Sequence, residues 1–384
     1  MSDSPGTSTA ADSWTPVFVL PNIKVTDRIA IDQIAIESAD GEICEKIQET
    51  HSSFKKFVSS FTDTFGRKVT PSIVLLRSDA PRSLFNVEVI AGFRDAVAIS
   101  ATTYGWGTLL KYNNNGRVLW SDAFSIHPWM IDKDYKHVVG HTLALIGLDQ
   151  VERFKGQSSP SVYQRELSSS DYDDVILEAL LTAWKRRHLE GNTDWKSLAL
   201  FRALNMAFHA SLVPGRDVTI YDRGRAVALW VSAFEILAHP QTNDTGLRAV
   251  SKLISKSEWI DPRLKQEELD CYQSRRNKIK GNITRWFYGE LYRARNDFTH
   301  GNAVTNDRLN LPISGKPLLN FAPSLFRIAL ANFIELKIPQ MLDSYDDLAQ
   351  QLEFARNRSR FQMRQHLAEE ALISALDPSS VEDE

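Results

Sequence analysis

The sequence predicts an α+β protein, in which a mixed α/β N-terminal domain is followed by an all-α helical bundle. Two observations predict this class. Strand-like apolar runs gather in the first part of the chain, and apolar residues at helical spacing dominate after residue 174. The 384 residues, the net charge of −3 and the 43% hydrophobic content are typical of a soluble globular protein. At about 150 residues per domain, this length predicts two or three domains.

The N-terminal region carries a mixture of strand and helix patterns. Residues 1–13 are mostly small and polar, which predicts a disordered lead-in. The helical spacing of apolar residues predicts a helix over 42–65, and residues 85–100 fit either a helix or a strand. Strand-like runs occupy 16–20, 29–36, 72–76 and, after an Asn-Asn-Asn-Gly turn, 117–120. We therefore expect an α+β domain of unknown role over residues 14–155.

The remainder of the chain predicts helix after helix. The polar residues 156–173 predict a linker, whose Ser and Asp residues can cap the next helix. Apolar periodicity then predicts helices over 174–189, 195–210, 222–238, 245–260, 264–276, 283–299, 324–342 and 346–376. We assign 174–345 to a helical domain, 346–376 to a C-terminal helix and 377–384 to an acidic tail.

Several classes of protein are excluded by composition and motifs. The two cysteines, Cys44 and Cys271, are too few and too distant for a disulfide scaffold or a zinc knuckle, and they fit a reducing, cytoplasmic compartment. No apolar run reaches about 18 residues, so we expect no membrane span. His137 and His141 have the spacing of a zinc helix, but Val138 stands where a zincin needs glutamate. We predict no metal and no cofactor.

A basic stretch with interleaved aromatic residues runs from Arg275 to Arg295. It holds seven basic residues and one acidic residue, a local charge of +6 in a chain whose total is −3. Basic groups bind phosphates, and aromatic rings stack on unpaired bases. The candidate RNA-binding residues are Arg275, Arg276, Lys278, Lys280, Arg285, Tyr292 and Arg293. The alternative is a solvated helical face whose aromatic residues turn into the core.

The end of this stretch contains Arg295, Asn296, His300 and Gly301 in close succession. An arginine and a histidine with four to six residues between them resemble the signature of the HEPN superfamily. The phrase looks most like the Apea-like HEPN branch, in which Tyr-x-x-Arg-Asn-x-x-x-His-Gly recurs. An earlier apolar helix with the single acid Glu235 is similar to a helix of the same branch. The resemblance covers about residues 174–342.

The resemblance implies a metal-independent endoribonuclease that acts as a homodimer and leaves a 2′,3′-cyclic phosphate. On this hypothesis His300 transfers protons and Arg295 holds the scissile phosphate. Asn296 orients either His300 or Arg295, and Glu235 anchors Arg295. Histidine titrates near neutrality and arginine binds phosphate with a fork of donors, so both suit this chemistry. By analogy the biological setting would be phage defence or a toxin system, with an unknown trigger ligand or protein at the N-terminal domain.

The spacing of the motif has a geometric consequence. Five residues place Arg295 and His300 about 140° apart on an ideal helix, so they do not converge within it. Gly301 allows the helix to end at His300. Two alternatives stay open: an RNA-binding, nucleotide-binding or assembly module that breaks no bond, and a structural role. In the structural case His300-Gly301 caps the helix while Arg295 pairs with Glu235 to close the bundle.

Overall fold

The computed structural model describes residues 14–63, 65–112, 120–126, 129–131, 138–140, 164–212, 219–239, 246–274, 276–340 and 348–378. Strands gather in the N-terminal part and helices predominate in the C-terminal part, which confirms the α+β class. Within these ranges no helix is both long and apolar enough to cross a membrane.

Contacts divide the chain into two compact units, and each is assembled from separate stretches of sequence. The described residues of the first unit run up to Arg94, from Trp120 to Asp171 and from Trp184 to Gly191. The second unit contains the remaining described residues. Much of the expected linker at 156–173 lies outside the described residues, so those domain limits stay a prediction.

The first unit is built on a six-stranded sheet. Its strands are β1 (Trp14–Leu20), β3 (Ile29–Ile31), β4 (Ile34–Ser38), β5 (Ser72–Arg77), β6 (Trp129–Ile131) and β7 (Val138–Gly140). Their order is β3-β4-β5-β1-β6-β7, and every neighbouring pair is antiparallel. Separately, β2 (Ile23–Val25) pairs in parallel with β8 (Arg165–Leu167). The strands predicted over 16–20 and 72–76 are therefore confirmed, whereas the run predicted over 29–36 forms two antiparallel strands, β3 and β4, joined by a turn.

Two short helices pack on this sheet where one helix was predicted. Helix α1 (Glu42–Thr50) and helix α2 (Ser52–Val58) are separated by His51, whose backbone is not helical. Buried Ile43, Ile47, Phe54 and Phe57 form one cluster with sheet residues of β1, β4 and β5. The apolar spacing was correct, but it continues across the break because both helices face the same core.

The ambiguous segment at 85–100 lies in a long helix, α3 (Val87–Tyr112). Residues 92–103 are all buried, including the polar Arg94 and Asp95, so the middle of this helix has no solvent-exposed face to reveal its period. The strand predicted at 117–120 and the histidine pair at 137 and 141 lie almost entirely outside the described residues, so neither prediction is tested.

The second unit carries most of the helices. They are α4 (Asp174–His188), whose last turns belong to the first unit, α5 (Trp195–Ala210), α6 (Ile220–Ala238), α7 (Leu247–Ile254), α8 (Ile283–Thr299), α9 (Ala322–Phe333) and α10 (Leu348–Ile373). Helix α6 is central, because Phe234 lies 5.2 Å from the ring of Tyr288 on α8 and 5.4 Å from that of Phe326 on α9. Helices α5 and α8 have the bounds that periodicity predicts.

One predicted helix is wrong, and the C-terminal half is therefore not all helical. Residues 264–276 do not form a helix. Strand β9 (Leu269–Tyr272) instead pairs antiparallel with β10 (Lys278–Gly281) in a two-stranded hairpin. Within this segment Leu264 and Cys271 are buried, while residues 265–268 are all exposed. A helix there would have too narrow an apolar stripe to bury, and cross-strand hydrogen bonds satisfy the backbone instead.

Candidate functional site

Helix α8 carries the candidate motif and is defined at both ends. At its start the Asn282 side chain accepts a hydrogen bond from the backbone N–H of Arg285 at 3.1 Å. At its end the His300 N–H donates to the Asn296 carbonyl at 3.1 Å, and Gly301 follows with φ of +68°. A left-handed residue after the last helical turn is the usual helix stop, and glycine adopts it without strain. The helix ends at His300 as expected, which leaves that side chain exposed.

One face of α8 lines an open groove of about 1330 Å³. Arg293, Asn296 and His300 share this face, because spacings of three and four residues bring side chains onto one side of a helix. The hairpin β9–β10 supplies the facing wall with Arg276, Lys278 and Lys280, and Pro312 and Ile313 also line the groove. Six of the predicted site residues are thus brought together around one space.

Arg295 lies on a different face of the same helix, where it pairs with Glu235 of α6. Its Nη2 donates to Glu235 Oε1 at 2.7 Å, and its guanidinium carbon lies 4.7 Å from the ring centre of Tyr292. The two charged side chains are 22% and 27% exposed. Burial raises the pKa of Glu235, and the nearby Arg295 offsets only part of this effect. The structure therefore shows the Arg295–Glu235 contact that both the anchoring role and the structural alternative predict.

Gly246, which precedes α7, allows the backbone to pass close to the side chains of Tyr292 and Glu235. Its φ is +92°, and a Cβ atom there would lie 3.3 Å from Tyr292 Oη and 3.6 Å from Glu235 Oε1. Beneath them Tyr288 is fully buried, and its hydroxyl has no hydrogen-bond partner among the described residues. The Arg295–Glu235 pair thus has a packed, largely apolar floor and an outer side open to solvent.

The hairpin is held against α8 at two glycines. A Cβ atom on Gly289 of α8 would lie 3.3 Å from the Tyr272 Cβ, and one on Gly281 of β10 would lie 2.7 Å from the Cys271 Sγ of β9 and 2.8 Å from the Arg285 Cδ of α8. Burial raises the pKa of the Cys271 thiol to about 11, so this thiol stays protonated at neutral pH. We assign it a packing role.

The charge of the groove differs from the charge of the sequence stretch that supplies it. The four basic side chains of the lining, Arg276, Lys278, Lys280 and Arg293, face four acidic ones, Glu268, Asp270, Glu290 and Asp297. Four minus four leaves a formal charge of zero, with His300 neutral. The local +6 is lost for two reasons: three of the seven basic residues are not among the described residues of the lining, and three acids from either side of the stretch fold into it. Lys280, for example, pairs with Asp270 at 2.9 Å.

The other described candidates lie outside the groove. Tyr292, Arg295 and Glu235 form the neighbouring cluster, and the Arg285 side chain packs near Gly281 at the base of the hairpin. Arg275 falls on a residue that the structure does not describe.

Sequence reasoning missed Asp297, Asn302 and Arg308, which surround the end of α8. The Asp297 Oδ1 accepts a hydrogen bond from Asn302 Nδ2 at 3.1 Å, and its Oδ2 lies 2.8 Å from Arg308 Nε. This carboxylate, which precedes the His300-Gly301 turn, therefore connects α8 to two residues that follow the turn. Asp297 could have been found from the motif, since it lies between Arg295 and His300. No local pattern marks Arg308.

The comparisons with known proteins give no relative. The chain matches no protein-family model. It also matches no curated protein and no solved structure.

Proposed function

We propose that this protein is a HEPN-type, metal-independent endoribonuclease, in which an RNA 2′-hydroxyl attacks the adjacent phosphorus. The observation that supports it best is the exposed His300 at the end of α8, in a groove that it shares with Asn296 and Arg293. An exposed imidazole can donate a proton to a bound substrate or accept one from it. The 2′-oxygen forms a bond to phosphorus as the bond to the 5′-oxygen breaks, which gives a 2′,3′-cyclic phosphate and a free 5′-hydroxyl.

Arg295 supplies the positive charge in this proposal. Glu235 engages its Nη2, and a guanidinium has five N–H donors, so further donors can bind phosphate oxygens. Glu235 and the Tyr292 ring hold the side chain in place before substrate arrives, which reduces the entropy lost on binding. Asn296 shares the groove with His300 and can donate a hydrogen bond to the substrate.

The reaction needs two proton transfers, one from the 2′-hydroxyl and one to the leaving 5′-oxygen. One chain offers a single His300, and Arg295 lies on another face of α8. We therefore propose that two copies act together as a homodimer and that each contributes its motif to one composite site. The mass of the protein in solution, with and without RNA, tests this arrangement.

The decisive experiment incubates labelled single-stranded RNA with the full chain in EDTA. We expect cleavage to persist in the wild type and to fall by about 100-fold or more in His300→Ala and Arg295→Ala, since a general acid–base group and a preorganised phosphate-binding donor each contribute about that much. The double variant Arg202→Ala/His209→Ala is the matched control, because this exposed pair on α5 has a permitted spacing. Unchanged cleavage in His300→Ala, or cleavage abolished by EDTA, would refute the proposal.

A second candidate function is an RNA-binding, nucleotide-binding or assembly module that breaks no bond. The balanced charge of the groove favours it, as does the position of Arg295 outside the lining. Binding without cleavage of any RNA in a random pool would support this module over the nuclease. The placement in phage defence or a toxin system rests on analogy, and growth arrest on expression that His300→Ala relieves would support it.

A further inference from the structure

Arg308 makes an unusual set of contacts beneath the groove. It lies on a short 3-10 helix, Asn306–Leu309, whose last residue is buried. Its Nη1 donates to Glu290 Oε2 at 3.1 Å and its Nη2 to the Glu290 carbonyl oxygen at 3.3 Å. Its Nε lies 2.8 Å from Asp297 Oδ2. One guanidinium therefore bridges two carboxylates on the groove face of α8.

These three charges are only slightly exposed. The Arg308 side chain is 16% exposed, that of Glu290 8% and that of Asp297 23%. Screening by water is weak for such groups, so removal of one partner leaves the others strongly uncompensated. Arg293 lies 3.9 Å from Glu290 and is itself half-exposed, so it is a poor substitute for Arg308.

We propose that Arg308 is the internal counter-cation that allows the groove to accept the phosphate backbone of single-stranded RNA. The inference rests on the proposed function, because it takes RNA as the ligand of this groove. Counting Arg308 with the lining changes the formal charge from zero to +1. Arg308 thereby offsets part of the negative charge of Glu290 and Asp297, and Arg276 and Lys278 stay exposed for phosphate. Without Arg308, Glu290 and Asp297 would repel an incoming phosphate.

The test measures binding of a labelled single-stranded oligonucleotide that carries 2′-O-methyl ribose, which cannot undergo attack by a 2′-hydroxyl. Arg308→Gln lowers the summed charge from +1 to zero, and we expect about tenfold weaker binding at low salt. The triple variant Arg308→Gln/Glu290→Gln/Asp297→Asn has a summed charge of +2, and we expect it to bind at least as tightly as the wild type. Both differences should shrink as salt is raised.

The matched control is Arg263→Gln. Arg263 also bridges two carboxylates of the second unit, those of Asp261 at 2.7 Å and Glu370 at 2.8 Å, but it does not line the groove. We expect it to bind the oligonucleotide as the wild type does. Thermal unfolding of each variant identifies any loss of fold.

The outcomes separate this inference from the proposed function. Wild-type affinity in Arg308→Gln, or equally weak binding in the single and triple variants, would overturn the role of Arg308 even if the wild type cuts RNA. A wild type that does not bind the oligonucleotide would overturn it as well. Conversely, rescue by the triple variant would support it even if ordinary RNA is never cut.

Discussion

Two arginine–carboxylate pairs of the second unit have similar lengths but opposite surroundings. Arg327 Nε donates to Asp173 Oδ2 at 2.9 Å, and the two side chains are 2% and 3% exposed. The Arg295–Glu235 pair has a 2.7 Å contact, and about a quarter of each side chain is exposed. The first pair belongs to the interior and the second lies at its boundary.

The buried Arg327–Asp173 pair also belongs to a larger hydrogen-bond network. Arg327 also donates to Gln365 of α10, and the Gln365 Nε2 donates to Glu369 Oε1 at 2.8 Å. Glu369 in turn accepts the backbone N–H groups of Ile260 and Asp261. Such a network ties α4, α9 and α10 together and exposes almost nothing to a ligand. The comparison teaches that the environment of an arginine, more than the length of its ion-pair contact, determines whether its side chain is accessible to a ligand.

The largest expected effect comes from breaking each pair in turn. Arg327→Met should destabilise the fold by about 3–5 kcal/mol, because it leaves Asp173 charged and buried without its partner. Arg295→Met should cost about 1 kcal/mol, since water can reach Glu235. Urea unfolding of both variants measures the difference. Equal losses would show that the two pairs have the same role.

The next effect concerns the turn that follows the Arg295 motif. Gly301→Ala should destabilise the fold by about 1–2 kcal/mol, because alanine is strained at a φ of +68° although nothing lies within 4 Å of its Cβ. Gly301→Asn should cost less, since asparagine tolerates the left-handed region. Thermal unfolding of the two variants compares them. Equal stability of Gly301→Ala and the wild type would contradict the assigned backbone.

The smallest effect concerns a third, partly exposed pairing, in which two arginines share one carboxylate. Asp174 is 25% exposed and accepts from Arg360 Nε at 2.7 Å and Arg364 Nε at 2.9 Å. Burial raises the pKa of Asp174, but the two guanidiniums outweigh burial and lower it below its usual value. The stabilisation is therefore present above the unfolded-state pKa, near 3.8, and is lost as pH falls through the lower folded-state value.

Asp174→Asn should remove this dependence on acid, at a cost of at most about 1 kcal/mol at neutral pH. Urea unfolding at a series of pH values from 2 to 7 measures it. The variant and the wild type should converge at the lowest pH. A constant difference across the series would show that the ion pairs do not carry the effect.

The sequence predicts local features well and distant ones poorly. Helix α8 and its stop at Gly301 follow from apolar spacing and from one glycine, both of which are contained in a short segment. The break at His51 and the hairpin at 269–281 do not follow in this way. They depend on which core the flanking residues share and on which segment pairs with them. The local spacing of apolar residues determines neither of these.

The candidate site shows the same division. His300 and Asn296 were found from the motif, and the Arg295–Glu235 contact was expected from the resemblance. The neutral groove was not expected, because Glu268, Asp270 and Asp297 lie outside the interval in which the basic residues were counted. The net charge of a surface depends on which residues the fold brings together, so it cannot be counted along one segment of the sequence.

Gly289 sets the width of the groove without lining it. A methyl group at that position would meet the Tyr272 Cβ at 3.3 Å, so the hairpin would have to move outward by a few tenths of an ångström. The distance between Lys278 on one wall and Asn296 on the other therefore depends on residue 289 being a glycine. A larger residue at 289 would push the hairpin away from α8 and widen the groove, while leaving every lining side chain chemically intact.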